Sequence, residues 1–177
     1  PVRLRIIGNR FNKVGERALK GHPEYSVMVT SNQVIADQGA YYMGTVVYLS
    51  VHSAIVDDLQ IFSGTGTTKP RQLFGIFEGT GQLKISNVTS QASTQGIVFL
   101  PLTNTAVANW EFDHLNFDNV TEGAIFTSMG VGEAGSFNIS VSNSVFRMIS
   151  DTADGITMPV DADGKGSIVT VALSTCD

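Results

Sequence analysis

The feature that most limits what this chain can become is a match of the sequence with itself. Leu4 to Leu19 aligns without a gap on Trp110 to Ile125. Leu4 falls on Trp110, Ile6 on Phe112, Phe11 on Phe117, Asn12 on Asp118, Val14 on Val120, Glu16 on Glu122, Ala18 on Ala124 and Leu19 on Ile125. The offset is 106 residues, about four units of roughly 26, inside the 20–50-residue range that builds solenoids and arrays.

Looser copies fill the interval and the remainder. Ser26-Val27-Met28-Val29 leads through Ser31-Asn32 to Gly39-Ala40-Tyr41-Tyr42, and Asp58-Leu59-Gln60-Ile61 leads through a Gly/Thr turn to Gly75-Ile76-Phe77. Gln82-Leu83-Lys84-Ile85 leads through Asn87-Val88-Thr89 to Gly96-Ile97-Val98-Phe99. Ser136-Phe137-Asn138-Ile139 leads through Asn143 to Gly155-Ile156-Thr157-Met158, and Ile168-Val169-Thr170-Val171 opens a last, incomplete unit. Each unit is a short alternating strand, an Asn- or Gly-bearing corner, a second short strand and a Gly/Ser/Thr turn. No segment holds a 3.6-residue period over ten residues, so helical repeats are excluded. A sandwich would supply short strands but no long-period register.

A strand that returns every 26 residues or so and stacks on its own previous copy is a parallel β-helix. Residues 1–177 read as one all-β domain, a single-stranded solenoid of about seven rungs and roughly 34 Å in length at about 4.8 Å per rung. One coil cannot bury its inward side chains alone; stacked coils close a continuous core. The expected inward columns are Leu4/Leu59/Leu83/Trp110/Phe137 and Ile6/Ile61/Ile85/Phe112/Ile139 on the first strand. On the second strand the column is Ala18/Ala40/Ile76/Ile97/Ala124/Ile156. Asn9, Asn32, Asn87, Asn116 and Asn143 are the expected corners, because Asn tolerates left-handed backbone geometry.

Composition narrows the function classes. Charged residues make up only 15% and apolar residues 42%, which excludes a disordered chain and disfavours a helical bundle. The net charge of −5, with no Lys/Arg stripe apparent, predicts no nucleic-acid partner. No run of about 18 apolar residues predicts a membrane span. The single cysteine, Cys176, excludes an internal disulfide. Val2–Ile6 and Ile168–Leu173 both read as strands under way at the chain ends, the pattern expected of a piece of a longer protein.

The run from alternating strand through Asn116-Phe117-Asp118-Asn119-Val120 to Glu122-Gly123-Ala124-Ile125 resembles the right-handed β-helices of the pectate-lyase-like superfamily. That grouping includes polysaccharide lyases, glycoside hydrolases, epimerases and bacteriophage tailspikes. The resemblance covers almost the whole chain. It implies the right hand of the coil, an extracellular or virion setting, and a polysaccharide partner.

With Trp110 and Phe112 inward, Glu111 and Asp113 face outward about 7 Å apart on one strand. Gln60, Lys84 and Asn138 are expected beside Glu111 on neighbouring rungs, with Ser86 and Ser140 in the next column. Two carboxylates at this separation can divide general acid and base roles on a glycosidic bond. Glu111 and Asp113 are therefore the candidate catalytic pair, and Lys84, Gln60 and Asn138 the candidate substrate-binding residues. A solvated sheet face with ordinary cross-strand pairs is the competing reading. His114 reads as a corner residue that Asp113 cannot readily orient, since neighbours on a strand face opposite ways.

A second outward column, Phe77, Val98 and Ile125, is apolar. An exposed apolar ridge usually marks an interface, and side-by-side association of rods, a trimer in the favoured case, would bury it. The same ridge could instead lie under a loop of its own chain. No metal site is expected from the three scattered histidines. Asp161-Ala162-Asp163-Gly164-Lys165-Gly166 resembles the start of a calcium loop but lacks the later ligands, so calcium is a minor expectation and no other cofactor is expected. The functional expectation is a rod that binds, and in its enzymatic form depolymerises, a bacterial surface polysaccharide as a glycoside hydrolase or lyase. The alternatives are a purely structural shaft, and a uronate lyase or epimerase, which would need an electropositive groove.

Overall fold

The computed structural model describes residues 2–12, 17–20, 25–35, 44–62, 70–76, 82–99, 107–127, 136–148, 154–157 and 168–176. Fourteen strands make up nearly all of these: β1 (Val2–Ile7), β2 (Arg10–Asn12), β3 (Leu19–Lys20), β4 (Tyr25–Ile35), β5 (Thr45–Leu49), β6 (Ser53–Phe62) and β7 (Gln72–Ile76). They continue with β8 (Gln82–Ser90), β9 (Ser93–Phe99), β10 (Val107–Thr127), β11 (Ser136–Ser142), β12 (Val145–Met148), β13 (Asp154–Thr157) and β14 (Ile168–Ser174). Every pairing between them is parallel, and each joins a strand to its counterpart one coil away. The chain is a parallel β-solenoid. Among the described residues no helix is long and apolar enough to cross a membrane.

Three faces run along the coil. On the first, β1, the leading parts of β4, β6, β8 and β10, then β11 and β14 stack in that order, seven strands among the described residues. The second face is formed by β2, the trailing parts of β4, β6 and β8, the middle of β10, and β12. The third carries β3, β5, β7, β9, the end of β10 and β13.

The inward pattern repeats with a spacing of two, three and two residues. Val27, Val29, Asn32 and Val34 are buried on one coil, and Ala54, Val56, Leu59 and Ile61 on the next. Leu83, Ile85, Val88 and Ser90 follow, then Trp110, Phe112, Leu115 and Phe117. The step of three has a physical cause. At each such corner one residue adopts the left-handed conformation: Gly8, Ser31, Asp58, Asn87, His114 and Asn143, with φ between 48° and 67°, and Thr175 at the last coil. One left-handed residue reverses the alternation, so a strand turns the corner and still directs its next apolar side chain inward.

The registers confirm the long-range self-match to the residue. Leu4 pairs with Val27, Val27 with Ala54, Ala54 with Leu83 and Leu83 with Trp110, which places Leu4 and Trp110 in one column. The looser copies slid. Leu59 lies past the corner, level with Asn32 and Val88, and Ala54 takes the place expected of it. Ile61 belongs to the column of Val34 and Ser90. Phe137 pairs with Ala108, and Ile139 pairs with Trp110. Of the expected corner asparagines, Asn87 and Asn143 are the left-handed residues; Asn9 and Asn32 follow the corner by one place and Asn116 by two.

The third face departs from alternation. Val46 and Val47 are both buried, as are Leu73, Phe74 and Ile76 in succession, and Ala124 with Ile125. Its column is Leu19, Val47, Phe74, Ile97, Ile125 and Ile156, one place away from the expected Ala18 and Ala124. The anticipated apolar ridge is therefore not a feature of the described surface. Ile125 is a core residue level with Ile97, Val98 is level with Gly75 and Phe126 and is itself buried, and Phe77 and Ala40 lie outside the described residues.

Candidate functional site

The first and second faces keep a solvent side, and the first is hollowed. A shallow depression of about 560 Å³ spans β6, β8, β10, β11 and β14, with outward walls that include Ile55, Lys84, Glu111, Asn138 and Ser140. A smaller hollow of about 230 Å³ adjoins it at Ser53–Ile55 and continues over β4 to Arg3 and Arg5 on β1. Together they form a trough along the coil axis, roughly 29 Å long for six strand spacings of about 4.8 Å.

The trough is built from stacked outward columns. One runs Arg5, Met28, Ile55, Lys84, Glu111, Ser140 and Ala172. Beside it run Arg3, Ser26, Ser53, Gln82, Asn109 and Asn138 on one side. At the corner, outside the lining of both hollows, a third column runs Ile7, Thr30, Asp57, Ser86, Asp113, Ser142 and Ser174.

Four of the five expected site residues meet on this face. Lys84 Nζ donates to Glu111 Oε1 at 2.6 Å, with both side chains about half exposed. That contact, ahead of the general field of Glu111, Asp113 and Asp57, raises the Lys84 ammonium above its usual range. Asn138 stands one column aside, level with Asn109, to whose Oδ1 it donates at 2.9 Å. Gln60 does not belong to the group. It lies beyond the corner on the second face, where it accepts from Gln33 Nε2 at 3.1 Å. It was misplaced by the same slip in register that misplaced Leu59.

Asp113 has a structural occupation. Its Oδ1 accepts from Ser142 Oγ at 2.8 Å and from Asn143 Nδ2 at 2.9 Å, both on the following coil. Its Oδ2 accepts from His114 Nδ1 at 2.8 Å. The Asn143 amide, then Ser142 and His114, hold the Asp113 carboxyl down at about 2. The same clasp occurs two coils earlier, where Asp57 Oδ1 accepts from Ser86 Oγ and Asn87 Nδ2, both at 2.8 Å. Asn87 and Ser86 likewise lower the Asp57 carboxyl below its usual range.

The Asp113–His114 contact corrects the expectation that these neighbours face apart. His114 is a left-handed corner residue, φ 52°, and the reversal of alternation brings its ring to the side of Asp113. Its ring is oriented through Nδ1 and more than half exposed.

Sequence reasoning missed Asp57, Arg3, Arg5, Met28 and Ile55. Two signals carry them. The corner triplets Asp57-Asp58-Leu59, Ser86-Asn87-Val88, Asp113-His114-Leu115 and Ser142-Asn143-Ser144 recur with the coil, and six of the eleven Lys and Arg residues fall within the first twenty positions. Among the described residues no three His, Cys, Asp or Glu side chains gather to hold a metal ion, and the Asp161–Gly166 stretch lies outside those residues.

No protein-family model, no curated protein and no solved structure matches the chain.

Proposed function

We propose that the protein is a glycan-binding rod whose first-face trough holds a linear polysaccharide lying along the coil axis, of the kind displayed on bacterial surfaces. The observation that supports this reading best is the trough itself. It is elongated, and it lines an apolar strip at Met28 and Ile55 with hydroxyl, amide and charged groups at strand spacing. Sugars offer the matching pattern, hydroxyls at their edges and C–H surface on their faces. Lys84 and Glu111 would bind hydroxyls as donor and acceptor, with Asn138 beside them. Such a role belongs outside the cell or on a virion, and it accords with the resemblance to pectate-lyase-like and tailspike coils.

Binding is favoured over cleavage. A general acid working near neutrality needs a carboxyl raised toward the working pH. Asp113 is instead held at about 2, with both oxygens engaged. Glu111 is the remaining carboxylate of the pair. A structural shaft is the second reading, favoured by the two Asp clasps, which give Asp57 and Asp113 a role in joining coils.

The test is binding and chain length on a panel of bacterial capsular and O-antigen polysaccharides, with Glu111→Gln alongside the native chain. A bound glycan whose affinity falls several-fold in Glu111→Gln, without chain shortening, is the expected result. Chain shortening by the native protein that disappears in Glu111→Gln would establish depolymerisation instead. No binding and no shortening across the panel would leave the shaft.

A further inference from the structure

The trough is electrically lopsided. On β1, Arg3 and Arg5 both face outward, are exposed, and form no ion pair among the described residues. As alternate residues of one strand they stand about 7 Å apart. Register places them over Ser26 and Met28, in the lining of the smaller hollow. The character reverses farther along. Lys84 is neutralised by Glu111, and the Asp57 and Asp113 carboxylates, both held below their usual range, add negative charge along the corner column. Four strand spacings, roughly 19 Å, separate the strand of the arginines from that of Glu111 and Asp113. Between the two regions lie Met28 and Ile55, the latter 44% exposed.

We propose that the β1 end of the trough is an anion subsite, in which Arg3 and Arg5 hold one acidic substituent of a glycan that is otherwise uncharged over the following strands. The inference rests on the glycan-binding reading and names its substrate class. Guanidinium groups suit this task because their fixed donor fork matches the two oxygens of a carboxylate, the acidic group the subsite is assigned. The far region sets the other half of the specificity. A chain with a negative charge on every sugar would bring anions to strands where Lys84 is already held by Glu111, and beside the ionised corner carboxylates Asp57 and Asp113. The ligand that satisfies both regions carries acid sparingly, once in a stretch of several sugars. An apolar substituent such as an acetyl methyl would sit on the Met28–Ile55 strip.

The experiment compares each polysaccharide of the capsular and O-antigen panel before and after carbodiimide–borohydride reduction of its carboxyl groups, together with polygalacturonate. Affinities are measured for the native chain and for the double variant Arg3→Gln/Arg5→Gln. Both arginines are exposed and outward, and circular dichroism will check that the variant keeps its fold. The expected result is a sparsely acidic glycan that loses at least tenfold in affinity on carboxyl reduction. The double variant should bind that acidic glycan as weakly as the native chain binds the reduced form, with no further loss on reduction. Polygalacturonate should bind more weakly than the sparsely acidic chain, and added salt should lower the acidic affinity alone. Equal affinity for acidic and reduced forms overturns the anion subsite while leaving the glycan trough in place. Strongest binding to polygalacturonate overturns the sparse-acid specificity. Absence of binding to every member overturns both the subsite and the trough.

Discussion

Gly96 is the position at which the stacking of coils is least able to yield. It lies on β9 and is buried, and a Cβ added there would stand 2.2 Å from the carbonyl oxygen of Ala124 and 2.9 Å from Phe117 Cδ2. The first contact is with the backbone of the next coil, so no rotamer change relieves it. To reach an ordinary carbon–oxygen separation the coils must part by about 1 Å, a fifth of the 4.8 Å strand spacing. Overpacking a rigid core costs about 1–3 kcal/mol, and the ladder hydrogen bonds stretched on either side add about 1 kcal/mol. A loss of about 3 kcal/mol is expected for Gly96→Ala, equivalent to roughly 6–12 °C in Tm for a chain of this length. Solenoids are stabilised chiefly by nearest-neighbour interfaces, so weakening one interface also divides the cooperative unit. Urea unfolding followed by far-ultraviolet circular dichroism should show a lower midpoint and a shallower slope. Gly8 is the control. A Cβ there meets nothing within 4 Å, but φ is +67°, so the penalty is conformational. Gly8→Ala should cost about 1 kcal/mol and Gly8→Asn less, since Asn87 and Asn143 occupy equivalent corners. A Gly96→Ala protein within 1 °C of the native Tm, or one less damaged than Gly8→Ala, would refute the close-approach reasoning.

The buried amide of Asn32 donates to the carbonyls of Ile6 and Thr30, both at 2.8 Å, and its oxygen accepts from the backbone N–H of Asn9 at 2.9 Å. Asn32→Leu, which the next coil's Leu59 shows to fit by size, strands those groups and should cost about 2–3 kcal/mol in a thermal melt; an unchanged Tm would remove Asn32 from the list of coil fasteners. Asp113 should add stability that is present above its ordinary pKa of about 3.8 and lost as pH falls from there toward 2, because the folded chain favours its charged form. With the group partly solvated, Asp113→Ala should lose about 1 kcal/mol at pH 7 and unfold like the native chain at pH 2. A stability gap that persists undiminished at pH 2 would contradict the clasp.

The coil was legible where apolar side chains were large and their spacing undisturbed. Leu4 and Trp110 share a column, as the gapless match requires, because insertions within the four intervening coils change the residue count without changing the quartet at either end. Leu59 slid because a left-handed corner makes two successive apolar pairs, Ala54-Val56 and Leu59-Ile61, look alike when only alternation is tracked. The first pair begins with a small residue and the second with a large one. The step of three across Asp58 would have decided it. The site was legible for Lys84 and Glu111, where outward residues sit on the correctly registered coils, and failed for Gln60 with the register. The third face was misread because period-two alternation assumes one wet side, and consecutive buried residues such as Val46-Val47 have none.

The corner column also explains why an outward carboxylate on a β-solenoid is a poor indicator of catalysis by itself. A parallel stack repeats each position at about 4.8 Å, close enough for a short side chain to reach the next coil. An aspartate just before a left-handed corner finds there a hydroxyl and, if the corner residue is asparagine, an amide donor. Asp57 and Asp113 both do so with nearly identical geometry, on coils of different outward composition. The recurrence is what distinguishes a fastener from a reactive group, since a catalytic carboxyl has no reason to be copied two coils away. Glu111 has no such copy: its column holds Ile55, Lys84 and Ser140 at the equivalent places. Its side chain is longer, projects from mid-strand into the trough, and meets Lys84 in a half-exposed ion pair. Of the two carboxylates singled out by spacing, Asp113 therefore has the structural occupation, and the proposed glycan contact is left to Glu111.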